Sequence, residues 1–179
     1  RLRCDWSSDV CSSDLYNICV ITPQLYADPG VTMPGDSTGI DFLLAPYRVL
    51  DLTDERGILA GKILADLGAD VIQIEPPGGS PARNIGPFHG DDPLPEKSLF
   101  WWAYAANKRS ITLDLERKDG RALLEKLVAE ADFLLESFSP GYLEGLGLDY
   151  KRLAEINPKL VMVDRKSTRL NSSHTSTSY

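Results

Sequence analysis

The sequence predicts an α/β fold: a Rossmann-like, mostly parallel sheet with flanking helices. Three observations predict it. Short β-rich runs alternate with helical repeats, in units of roughly 30 residues, from Pro46 to Val163. Two of the intervening segments carry apolar residues at helical spacing along one face. Glycine and proline punctuate the junctions where neither a helix nor a strand can continue.

The elements follow in order. Arg48–Leu52 (RVLDL) is a β-rich run. Gly57–Leu67 sets Ile58, Leu59, Ile63, Leu64 and Leu67 at helical spacing, and Gly68 ends that helix because glycine accepts the left-handed position after a helix. Asp70–Ile74 (DVIQI) is a second strand, stopped by Pro76-Pro77-Gly78-Gly79. Ser80–Lys97 is a long loop, of a length that tends to be functional or disordered in a compact domain. Ser98–Ala106 is an apolar helix with Ser98 as its N-cap. After the polar break Asn107-Lys108-Arg109, Ser110–Leu115 alternates like a strand. Lys118–Ala131 is amphipathic, with Leu123, Leu124, Leu127, Val128 and Ala131 on one face. Phe133–Glu136 is a buried strand, and Ser139-Pro140 starts a short helix with proline at its first position. Asp149 caps a further helix that ends before Pro158, and Leu160–Val163 is the last strand.

The flanks differ from this pattern. Residues 1–15 repeat Ser-Ser-Asp without a helical or strand period, and residues 165–179 form a Ser/Thr-rich tail. Both look like translated sequencing-library adapter, so we expect non-native or disordered ends. Residues 16–45 are an irregular lead-in with a short strand at Ile18–Ile21, and residues 46–164 are the domain.

Composition narrows the function. The 179 residues are 42% hydrophobic and 25% charged, which suits one globular domain. A net charge of −7 leaves no general basic field to hold nucleic acid or an anionic membrane. No apolar run approaches the roughly 20 residues that cross a bilayer. The three cysteines, Cys4, Cys11 and Cys19, all precede the domain, which argues against a disulfide-built fold and fits a reducing cytoplasm. His89 and His174 have no partners at ligand spacing, so no metal site is expected. The turn after the first strand reads Thr53-Asp54-Glu55-Arg56-Gly57 and lacks the glycine-rich dinucleotide fingerprint. No phosphate-binding Walker loop occurs either.

Four segments carry a family resemblance: Arg48–Gly79 with its LADLGADVIQIEPPGG, then Pro81-Ala82-Arg83, then Asn107–Leu115, then Glu136–Gly141 followed by Leu146-Gly147 and Asn157–Val161. In this order and spacing they resemble family III (CaiB/BaiF-type) CoA-transferases, over about two thirds of the chain. The resemblance implies the N-terminal part of the family's CoA-transferase large domain, incomplete here. It implies no permanently bound cofactor, with coenzyme A and acyl-CoA as substrate. Family members move CoA from an acyl-CoA to a carboxylic acid through an aspartyl mixed anhydride. The family's aspartate lies beyond the strand matching Leu160–Val163, and Asp164 is not that residue, so no catalytic residue is assigned and the chain alone is expected to be inactive. The full-length protein is expected to be an interlocked homodimer.

By the same resemblance, CoA contacts are expected at Arg56, with Glu55 beside it, which read equally as solvated turn charges. They are also expected at Leu113, Asp114, Leu115 and Glu116, through backbone atoms more than side chains, where an ordinary strand end is the alternative. Further contacts are expected at Ser137, Phe138 and Ser139, in the loop at the C-terminal strand ends where such sheets bind ligands. Phe138 either stacks on the nucleotide or plugs the core; Ser139 either contacts the ligand or only caps a helix. Lys108 and Arg109 resemble a phosphate clamp as readily as a solvated pair of charges, and Arg83 is a weaker candidate. Many transferases carry an arginine where this chain has Gly145, which leaves one phosphate contact in doubt. Trp101-Trp102 reads as core. Two other readings stay open: a 2-methylacyl-CoA racemase fragment, and a non-catalytic nucleotide- or protein-binding α/β domain.

Overall fold

The structure is a computed structural model that describes residues 42–164. The expected strand at Ile18–Ile21 and both unusual flanks lie outside the described residues. Five strands form one sheet: β1 (Arg48–Leu52), β2 (Asp70–Glu75), β3 (Arg109–Thr112), β4 (Phe133–Glu136) and β5 (Val161–Asp164), in the order β3-β2-β1-β4-β5. Every strand pairing is parallel, with Leu50 opposite Ile72 and Leu134. The α/β fold with flanking helices expected from the alternation is therefore present, in the doubly wound arrangement.

Strand periodicity divides the sheet residues between two layers. Leu50, Leu52, Ile72, Ile74 and Leu134 pack on one face with Leu124 and Val128 of α3 (Lys118–Val128), Leu143 of α4 (Tyr142–Gly145) and Leu153 of α5 (Tyr150–Ile156). Val49, Val71 and Leu135 pack on the other face with Ala65 of α1 (Ile58–Asp66) and with Ala69. A third cluster joins Ile58 and Ala82 to Trp101 and Ala105 of α2 (Leu99–Ala105). Trp101 is core, as expected, while Trp102 is half-buried and donates its indole N–H to the Glu96 carbonyl at 2.7 Å.

The local signals at helix ends held where side-chain chemistry alone decides them. The Ser98 hydroxyl accepts from the Trp101 amide at 3.0 Å, and the Asp149 carboxylate accepts from the Arg152 amide at 2.7 Å. Gly68 stands at φ 99° after α1. Three boundaries moved by three residues and others by one, β3 opening at Arg109 rather than Ser110. β3 stops at Thr112, because the chain turns at Asp114 to bring α3 back against the sheet. α3 ends at Val128, and the Asn157 side chain takes up the Val128 and Ala131 carbonyls at 2.9 and 2.7 Å. α4 starts at Tyr142, not Ser139: Gly141 takes φ 85° between them, and Ser139 offers the Tyr142 amide its carbonyl. The long loop contains three short 3-10 turns, at Pro81–Asn84, His89–Asp91 and Pro95–Lys97.

Candidate functional site

In a sheet of this order, the chain leaves β1 toward opposite faces on its two sides. The loops after β1 and β4 therefore part, and the crevice between them is where such sheets take ligands. Here the two loops are tied together. The Asp54 amide donates to the Ser137 hydroxyl at 2.9 Å, and that hydroxyl donates back to the Asp54 carboxylate at 2.9 Å. Arg56 grips the same carboxylate through Nε and Nη2 and also donates Nη2 to the Ser137 carbonyl at 2.8 Å. Burial works against the charge on Asp54, but the hydrogen bonds from Arg56 and Ser137 outweigh it and hold the carboxyl below its ordinary range.

The segment after β3, which lies beyond β2 in the sheet, joins this arrangement through aromatic side chains. Phe138 and Tyr142 lie with ring centroids 4.7 Å apart. The Tyr142 hydroxyl donates to Glu116 at 2.7 Å, in the segment that follows β3. That bond to an anion pushes the Tyr142 pKa up to about 12. Arg56, Asp114, Glu116, Ser137 and Phe138 are thus linked at one end of the sheet. Leu113 and Leu115 share that segment, but their side chains are buried in the core, so only their backbone is available to a ligand. Ser139 is exposed beside Phe138. Phe138 packs both against the core cluster and against Tyr142. Tyr142 has no distinguishing neighbour in the sequence; only the fold brings it to Glu116.

The expected Lys108–Arg109 phosphate clamp is not assembled. Lys108 is the residue before β3, and its side chain enters the layer between sheet and α1, where it is 1% exposed. There its ammonium donates to Asp51 at 2.7 Å, to the Ile58 carbonyl at 2.8 Å and to the Gln73 side chain at 3.0 Å. Burial pushes the Lys108 pKa down, and the Asp51 carboxylate works against that shift. Arg109 opens β3, so it lies at the opposite end of the sheet from the crevice, bonded to Asp70 at 2.9 Å. Asp70 also takes Arg48, which opens β1. Two residues adjacent in sequence are thus sent to a buried ion pair and to the far rim.

Arg83 also has a structural partner. It donates to the buried Glu75 carboxylate at 2.7 and 2.8 Å and lies 4.1 Å over the Trp101 ring. Glu75 accepts from the Ser80 amide and the Ser110 hydroxyl as well. Burial opposes its charge, yet these donors hold its carboxyl below the usual value. They pin the start of the long loop to the end of β2.

Next to Arg56, a groove of about 450 Å³ runs between α1 and α2, lined by Leu59, Ile63, Phe100 and Tyr104. Leu59 and Ile63 are half-exposed there. Among the described residues, no group of acidic, histidine and cysteine side chains is placed to hold a metal ion. No described helix is long and apolar enough to cross a membrane.

Comparison with known proteins agrees with this architecture. Residues 44–167 match CoA-transferase family III. The chain is 45% identical over 123 residues to subunit BbsE of succinyl-CoA:(R)-benzylsuccinate CoA-transferase from Thauera aromatica, covering 69% of this chain and 30% of that protein. It is 44% identical over 122 residues to succinyl-CoA–D-citramalate CoA-transferase from Chloroflexus aurantiacus, covering 67% of this chain and 29% of that one. The crystal structure of a CAIB/BAIF family protein from Brucella suis superposes with a TM-score of 0.63 at 37% identity, over 70% of this chain and 33% of that one. The chain therefore spans about 30% of the length of the relatives it matches. On the extent of the match and the identities together, this chain belongs to CoA-transferase family III.

Proposed function

We propose that this chain holds coenzyme A for an enzyme that moves CoA from an acyl-CoA to a carboxylic acid. The observation that supports it most is the tie between Asp54-Arg56 and Ser137 across the crevice of the sheet. It brings the Arg56 guanidinium, the Ser137 hydroxyl and the neighbouring Phe138 ring to the C-terminal ends of β1 and β4. An adenine needs an apolar slot, and phosphates need amides or arginine. We read Arg56, Ser137, Phe138 and Ser139 as contacts on one side of the nucleotide. Asp114 and Glu116, with the backbone at Leu113 and Leu115, are the contacts on the other. Lys108 and Arg109 are outside this set.

In the transfer reaction, an aspartate oxygen attacks the thioester carbonyl, the carbon–sulfur bond breaks, and the CoA thiolate leaves behind a mixed anhydride. We assign that aspartate to none of the described carboxylates. Asp51 is buried against Lys108, Asp54 is held by Arg56, and Asp70 lies at the far end of the sheet. The chain of residues 1–179 is accordingly expected to bind CoA without turning it over. The relatives described above are named as CoA-transferases, which favours transfer over racemisation. We further read the protein as cytoplasmic and the whole enzyme as an interlocked homodimer. The exposed Leu59 and Ile63 suit a face that the rest of such an assembly would cover.

Isothermal titration calorimetry of the chain with CoA tests the central reading. Saturable binding that is weakened by Phe138→Ala is the expected result. Absence of binding by the folded wild-type chain would leave the non-catalytic α/β domain as the better account.

A further inference from the structure

Six of the seven arginines among the described residues have a carboxylate within 4.0 Å: Arg48, Arg56, Arg83, Arg109, Arg117 and Arg152. Arg121 has none among the described residues. Its guanidinium instead donates Nη1 to the carbonyls of Leu115 and Glu116, both at 2.8 Å. Carbonyl partners fix the position of the group without cancelling its charge, and Nε and Nη2 take no part in these bonds. The residue is half-buried, so its arm is held along the surface.

The backbone makes this placement rigid. Gly120 packs so closely on the turn after β3 that a Cβ there would stand 1.9 Å from the Asp114 carbonyl oxygen. The first turn of α3 is therefore pressed onto the strand end, and Arg121 follows it. The nearby Glu116 carboxylate is taken by the Tyr142 hydroxyl, and Tyr142 lies against Phe138. A pre-positioned cation without an ion-pair partner within 4.0 Å among the described residues thus stands at the C-terminal end of the sheet, linked through Glu116 to the Tyr142–Phe138 pair. Planar guanidinium in this setting is suited to a phosphate group.

We propose that Arg121 is a phosphate-binding cation of this nucleotide site in addition to Arg56, and contacts a phosphate at the adenosine end of coenzyme A. The inference rests on the CoA-binding reading above. The test is calorimetry on the full chain with CoA and with 3′-dephospho-CoA, comparing wild type, Arg121→Gln, Arg121→Lys and Arg117→Gln. Arg121→Gln is expected to weaken CoA binding about tenfold or more, as loss of a charge-assisted contact does. Arg121→Lys is expected to recover part of that loss, and Arg117→Gln, on the exposed preceding turn, to leave affinity unchanged. A loss confined to CoA assigns the 3′-phosphate, and an equal loss for both ligands assigns the pyrophosphate; either supports the proposal. If Arg121→Gln melts at the wild-type temperature and binds both ligands as well as wild type does, the proposal is overturned. So too if Arg117→Gln costs as much as Arg121→Gln. If the wild-type chain binds neither ligand, the CoA reading itself fails, which is a separate outcome.

Discussion

Gly61 and Asp51 face each other across the layer between α1 and the sheet, so closely that a Cβ on Gly61 would stand 2.0 Å from Oδ2 of Asp51. It would also stand 2.9 Å from the Lys108 ammonium. The buried ion pair has room only because this helix position lacks a side chain. Gly61→Ala is therefore expected to destabilise the fold by about 1–3 kcal/mol, despite alanine's better helix propensity. Urea denaturation measures it.

Lys108 distinguishes a structural cation from a ligand-binding one. Lys108→Met leaves the Asp51 carboxylate buried without its counter-charge, at a cost of about 3–5 kcal/mol. The surviving folded protein should bind CoA with wild-type affinity, because the ammonium never reaches the surface. Denaturation paired with calorimetry on the same sample checks both halves.

Glu136 is expected to make stability fall between mildly acidic and neutral pH. Burial drives its pKa up to about 7, against the Phe138 amide that donates to it at 2.7 Å, and the adjoining Asp164 adds to the rise. A carboxyl raised in the folded state contributes stability fully present below its ordinary value of 4.5, and loses it as pH climbs through about 7. Glu136→Gln stays neutral throughout, so it should match wild type at a pH below that window and exceed it above. Urea midpoints on both sides of the window give the answer.

Arg83 pins the long loop, and its removal should free it. Arg83→Ala leaves Glu75 buried and short of two charge-assisted bonds, while the Trp101 ring loses its covering cation. Limited proteolysis is expected to cut residues 76–97 faster in the variant than in wild type, with the rest of the domain resistant. The low pKa of Glu75 has the opposite sign to that of Glu136: its stabilising contribution is present above the ordinary carboxyl value and lost as acid reaches the folded-state value.

The succession of elements, and those of their ends that a local cap fixes, are readable from the chain alone. Ser98 and Asp149 cap helices because a short polar side chain reaches an amide only three residues away, a purely local geometry. Gly68 terminates α1 for an equally local reason, its positive φ. The motifs from Arg48 to Val161 were legible for the same cause, since their spacing along the chain carries the family pattern.

Which charges are buried in pairs, and which stand at the C-terminal strand ends, follows only from the packing of the elements. Lys108 and Arg109 look alike as neighbours in sequence, but one precedes the strand and turns into the sheet layer while the other begins the strand at the wrong end. Asp51 and Gln73 become partners for Lys108 only because β1 and β2 pair in the register that sets Asp51 beside Gln73. Tyr142 reaches Glu116 across 26 residues of sequence through the packing of α4, while Arg121 meets the nearby Leu115 and Glu116 carbonyls only because the first turn of α3 folds back on the strand end. Electrostatic pairing acts across a few ångströms of space, whichever segments the chain order has brought there.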